Sequence, residues 1–160
     1  MDAVDELLNQ WRTERPDLDV SALGIAIRIE MLAKKMRSQN AKCLSAVGLK
    51  TWEYEVLSAL RRQGKPFQLP VSELAKSALL SPGAMTTRID QLEESRLVKR
   101  KADPKDRRGV LIDLTGKGRK LIDRALEARL QAAESAITDI NAKEQQTVEH
   151  SLRTLLSTHD

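Results

Sequence analysis

The sequence predicts a mostly α-helical protein with a small β wing, and three observations predict it. Apolar residues recur at helical spacing along most of the 160 residues. Aromatic residues amount to only 2%, so the core is built from Leu, Ile, Val and Ala, which suits helices packed on helices. Between 97 and 114 the helical period stops, and two short runs of strand formers flank the polar turn Ala102-Asp103-Pro104-Lys105-Asp106-Arg107-Arg108-Gly109. Seven glycines and five prolines are too few for a turn-rich sandwich. The length fits one moderate domain with its own core.

Taken in order, Asp2 to Arg12 forms an amphipathic helix with Val4, Leu7, Leu8 and Trp11 on one stripe. Pro16 ends it, because the residue before proline avoids helical angles. Ser21 is the expected cap of a second helix reaching about Ser38, whose broad apolar surface (Leu23, Ile25, Ile27, Ile29, Met31, Leu32, Met36) suggests burial by its own domain and by a second subunit. Residues 41–50 are looser. Thr51 to Gln63 is helical through Trp52, Val56, Leu57, Ala59 and Leu60, with Arg61 and Arg62 favouring its C-terminal dipole. Gly64 closes that helix, and Phe67-Gln68-Leu69 is a minimal strand expected to pair with the wing.

A short helix follows over 70–80, then Ser81-Pro82-Gly83 breaks it and starts another whose buried side is Met85, Ile89 and Leu92. Two helices at a tight turn, followed by a basic hairpin with strands 97–101 and 110–114, describe a winged helix-turn-helix. Thr115 caps a long helix running through Leu121, Ile122, Leu126, Leu130 and Ile137, and Asn141 caps a last one with Val148, Leu152, Leu155 and Leu156. The expected organisation is 1–48 for the N-terminal helices, 49–114 for the winged region and 115–160 for the C-terminal helices. The terminal helices carry more apolar stripe than a small winged domain covers. A twofold-symmetric homodimer resolves that; a monomer with an antiparallel helical cap is the other solution.

Charge narrows the function. The net charge is only +4, but Lys99, Arg100, Lys101, Lys105, Arg107 and Arg108 cluster on the hairpin directly after a plausible recognition helix. That placement favours a footprint for double-stranded DNA over an ordinary solvated turn. Cys43 is alone, which excludes an internal disulfide and agrees with a reducing cytoplasm. No basic-apolar leader and no apolar run of about 18 residues occurs, so no membrane partner is expected. Glycine-rich phosphate loops, metal-ligand spacings and nucleophile motifs are missing, and His150 and His159 stand apart from any such motif, so no enzyme, cofactor or metal is expected.

The order of elements and several segments resemble the MarR family of dimeric transcriptional regulators. They are residues 53–62, Ser72-Glu73-Leu74-Ala75, Thr87-Arg88-Ile89-Asp90-Gln91-Leu92-Glu93, Asp103-Pro104-Lys105-Asp106-Arg107-Arg108 and Leu114-Thr115-Gly116-Lys117-Gly118. The opening Gln10-Trp11-Arg12-Thr13-Glu14-Arg15-Pro16 is similar to the PecS-type, urate-responsive branch with its extra N-terminal helix. In two respects the sequence departs from the family: Lys50 and Leu69 stand where relatives carry Thr or Ser caps.

The resemblance implies recognition helices in successive major grooves about 34 Å apart, hence an inverted-repeat operator. Ser81 and Gly83 fall at the helix start for phosphate, with Ala84, Thr86, Thr87, Arg88 and Gln91 near bases. Arg107 or Arg108 would enter the minor groove while the other pairs with Asp103 or Asp106 to stiffen the wing, and the sequence does not say which. Repression by promoter occlusion is the default. Urate-responsive relatives use positions that fall on Trp11, Glu55, Arg62 and Arg88, with glutamate at 55 in place of aspartate. Urate or another planar anion is therefore the candidate effector; interface packing by Trp11 and internal ion pairs by the other three is the plainer reading. Cys43 beside Lys42 is a candidate redox trigger, displaced from the family's sensing cysteine, and a protein–protein adaptor without specific DNA binding is the rival from another class.

Overall fold

The computed structural model describes residues 1–104, 106 and 109–158. The chain divides into two compact units, Met1–Asn40 and Ala41–Asp160.

In the first unit, α1 (Ala3–Glu14) starts at a capping box: the Asp2 carboxylate accepts from the amides of Val4 and Asp5, and the Asp5 carboxylate accepts from the Asp2 amide. Val4 and Leu8 are its buried residues. It lies against α2 (Ser21–Ala46) at Gly24, where an added Cβ would stand 2.7 Å from a Leu8 methyl. Arg28 fastens the pair from the other end, donating to Asp2 at 2.9 Å and to Asp5 at 2.6 Å. Those bonds lower the Asp2 carboxyl to about 2.

Two expectations are corrected here. Ser21 is the first helical residue, not the cap; the Asp19 carboxylate accepts from both the Ser21 amide and its hydroxyl. The helix also continues past Ser38 to Ala46, because Gln39, Asn40 and Lys42 are polar without breaking helical geometry. Gly48, at φ +81, ends it, and the Leu49 amide bonds back to the Leu44 carbonyl.

The second unit holds α3 (Thr51–Arg62), β1 (Gln68–Pro70), α4 (Val71–Ser77), α5 (Pro82–Glu94), β2 (Val98–Ala102), β3 (Val110–Leu114), α6 (Gly116–Ala136) and α7 (Ala142–Ser157). Its core gathers Leu44, Leu57, Leu60, Leu74, Met85, Ile89, Leu92, Ile112 and Ile122. The mostly helical content with a small antiparallel sheet is the fold class read from the sequence. That sheet has the order β1-β3-β2, with Leu69 opposite Ile112 and Arg100 opposite Ile112 from the other side. The minimal strand does join the wing, through β3. Lys50 and Pro70 supply no side-chain cap bond; at α3 the Glu53 carboxylate instead accepts from the Lys50 amide at 2.7 Å.

The joint between sheet and α6 explains the Leu114-Thr115-Gly116-Lys117-Gly118 segment. Thr115 Oγ1 accepts from the Gly118 amide at 3.0 Å and donates to the Arg96 carbonyl at 2.8 Å, with that of Leu97 at 3.0 Å. A Cβ on Gly118 would stand 2.1 Å from the Leu97 carbonyl oxygen, so only glycine lets α6 start this close to the root of the wing. Asn141 caps α7 with a full capping box. No described helix is long and apolar enough to cross a membrane.

Candidate nucleic-acid interface

α5 is the helix whose outer face faces away from the core. Met85, Ile89 and Leu92 are buried, which leaves Ser81, Gly83, Ala84, Thr86, Thr87 and Gln91 exposed together. Ser81 caps the helix, accepting from the Ala84 amide at 3.3 Å, and Pro82 occupies the first turn, where its missing N–H is not needed. Thr86 and Thr87 donate their hydroxyls to the carbonyls of Pro82 and Gly83, so their methyls and remaining lone pairs are what they offer outward. The face is small, neutral and only weakly polar.

Arg88 is half-buried, and its guanidinium lies over the Trp52 ring, 5.3 Å from the centroid. In this conformation it ties α5 to α3 instead of projecting from the exposed face. Sequence reasoning had no signal for that contact beyond the aromatic residue itself.

The wing stands beside α5. Arg100 on β2 donates to Asp90 at 2.5 Å and to Glu93, both on α5, and its own amide donates to Glu93 at 2.9 Å. The expected basic cluster is therefore not uniformly available to phosphate: Arg100 is a fastener, and Lys99 pairs with Asp113 at 3.4 Å. Lys101 is the member of the run, among the described residues, with no ion pair. Lys105, Arg107 and Arg108 lie outside the described residues. Asp103 and Asp106 are described: the Asp103 amide donates to the Gly109 carbonyl at 3.0 Å, and the Gly109 amide donates to the Asp106 carbonyl at 2.9 Å. A Cβ on Gly109 would come within 2.9 Å of the Asp103 Cβ, so the base of the wing loop closes only on glycine. Between wing and helix runs a cleft of about 640 Å³ whose lining includes Ser72, Thr86, Arg100 and Val110.

Glu55 and Arg62 share a second cleft on α3, while Arg88 stacks on Trp52. Trp11 belongs to the first unit, on α1, and is 48% exposed. None of the four forms an ion pair among the described residues, which removes the reading of Glu55, Arg62 and Arg88 as one internal salt-bridge set. Sequence reasoning missed Arg129 and Tyr54, which line the cleft with Glu55 and Arg62. Cys43 is partly buried against the core.

Comparison with known proteins places this architecture. Residues 47–109 match the MarR family model. The chain is similar to the HTH-type transcriptional regulator PecS of Dickeya dadantii, at 31% identity over 88% of this chain and 85% of that protein. It also resembles a mutant of MarR from E. coli, at 26% identity and a TM-score of 0.70, over 82% of this chain and 95% of that one. Sco3205, a MarR family regulator of Streptomyces coelicolor solved in complex with DNA, shares the fold at 21% identity and a TM-score of 0.74, over 88% and 89% of the two chains. The protein belongs to the MarR family and is a transcriptional regulator, not an enzyme.

Proposed function

We propose that the protein is a homodimeric repressor that binds an inverted-repeat operator and is released by a small planar anion. The observation that carries the DNA part is the exposed N-terminal half of α5 held in register with the wing by Arg100. Ser81 and Gly83 present the helix start to a phosphate, and Ala84, Thr86, Thr87 and Gln91 present methyls and a single amide to base edges. With so few bidentate donors, discrimination leans on thymine methyls and on duplex shape. Arg107 and Arg108 remain the proposed minor-groove contact.

Support for a dimer comes from apolar side chains left uncovered on single helices. α2 exposes Ile25, Ile29, Leu32 and Met36, α6 exposes Leu126 and Leu130, and α7 exposes Val148, Leu152, Leu155 and Leu156. Both chain ends contribute, so each protomer would present its winged unit beside its partner's at the spacing of one helical turn. Such a repressor works in the cytoplasm, by occluding a promoter.

Selection of bound duplexes from a random pool at moderate salt tests this. The expected result is an enriched inverted repeat bound by two chains, with affinity lost in Arg107→Ala/Arg108→Ala. Recovery of no sequence, with weak retention that vanishes at higher salt, would overturn it and favour the adaptor reading.

A further inference from the structure

We infer that Trp52 is a positioning residue for the DNA interface: its ring holds Arg88 off the duplex, so that α5 meets DNA without a basic side chain. The inference rests on the DNA-binding reading above. To that reading it adds the residue that sets how much of the binding ignores sequence.

By position, Arg88 belongs to the exposed side of α5. Ala84 lies four residues before it and Gln91 three residues after, which puts the three on one row of the helix, and Ala84 and Gln91 are both exposed. No other lysine or arginine occurs between Pro82 and Glu94. A long cationic side chain on that row can reach out past Thr87 to a phosphate. Instead it turns back, with its Cζ 5.3 Å from the centroid of the Trp52 ring, and Arg88 is half-buried.

The restraint comes from α3. Trp52 is the second residue of that helix and packs against the core of the second unit, so its ring is a fixed surface. Arg100 is kept in place differently, by the carboxylates of Asp90 and Glu93. Arg88 forms no ion pair among the described residues. A carboxylate would neutralise it, whereas the ring restrains the guanidinium and leaves its charge whole. Removing the ring therefore delivers one full positive charge to the exposed row.

Such a charge would bind any duplex through phosphate and raise affinity for every sequence alike. What α5 presents in its place, the methyls of Ala84, Thr86 and Thr87 and the Gln91 amide, discriminates only modestly between bases. Selectivity then depends on keeping the sequence-blind part of the binding small. Trp52 does this without deleting the cation, which still fastens α5 to α3.

Full-length protein titrated over a range of salt, on the selected operator and on a random duplex of equal length, tests the assignment. Trp52→Leu should bind the random duplex about fivefold more tightly at low salt, with a salt slope steeper by about one. Trp52→Phe, which keeps a ring, should behave as the parent, and adding Arg88→Gln to Trp52→Leu should cancel the gain. Damage to the fold would weaken binding, so the sign separates positioning from structure. Arg88→Gln alone should leave the slope unchanged, which keeps the test open even where Trp52→Leu does not fold. A slope that falls by about one in Arg88→Gln, or stays the same in folded Trp52→Leu, would overturn the assignment with DNA binding intact. A parent protein that retains neither duplex would overturn the DNA-binding reading and this inference with it.

Discussion

The wing face and the α3 cleft use the same side chain in opposite ways. At the wing, Arg100 gives its guanidinium to Asp90 and Glu93 and joins β2 to α5. In the cleft, Arg62 and Arg129 hold no carboxylate among the described residues, and Arg129 rests on Tyr54 instead. Arg28 in the first unit follows the Arg100 pattern, with Asp2 and Asp5. An arginine's contribution is therefore set by the carboxylates within reach. A saturated one joins elements; one resting on an aromatic ring, as Arg129 does, packs against a single neighbour instead.

The largest test removes the scaffold under both regions. Gly118→Ala should cost about 3 kcal/mol, because its Cβ collides with a backbone oxygen that cannot step aside. Thermal unfolding should then shift down by roughly 6–12 °C, and DNA binding should weaken with it. A variant that melts normally would mean that wing and cleft do not share this joint.

Arg100→Met sharpens the comparison. It should lower stability by about 1 kcal/mol and weaken operator binding while leaving the slope of affinity against salt unchanged, because a saturated arginine releases no counterion. Lys101→Gln should behave in the reverse manner, with normal melting and a slope smaller by about one charge. Equal salt slopes for the two variants would remove the distinction between fastener and phosphate contact.

The smallest effect belongs to the Arg28 cluster. Asp2 titrates at about 2 when folded, against 3.8 ordinarily, so its contribution is complete above about pH 4 and is lost as pH falls toward 2. Amide exchange in α1 should accelerate across that window, and Asp2→Asn should reduce the pH dependence to the part that Asp5 carries. Exchange that stays flat down to pH 2 would show that the clamp does not hold α1.

Local chemistry made much of this legible beforehand. Thr115 and Asn141 are caps because a short oxygen-bearing side chain precedes a helical period, and both accept amide hydrogen bonds where the sequence placed them, whereas Ser21, expected as a cap, is the first helical residue. Leu79 was not legible: it takes a left-handed φ of +52 in the turn before α5, a conformation that glycine usually announces. Arg100 read as one charge of a basic run, because its partners lie seven and ten residues back and only the packing of strand on helix brings them near. Arg129 drew no notice within a long polar helix face. Its meaning comes from Tyr54, which lies far away in the sequence. Side-chain pairings across elements are what a periodic reading cannot supply.

The glycine contact at the foot of α6 has a mechanical consequence. From Gly118 to Arg129 the helix rises about 16 Å, and its foot is pinned to the root of the wing with no side chain between them. A force along α6 would therefore meet the Leu97 carbonyl at the root of the hairpin, and Ile122 and Ala125, buried in the core between, would have to move with it.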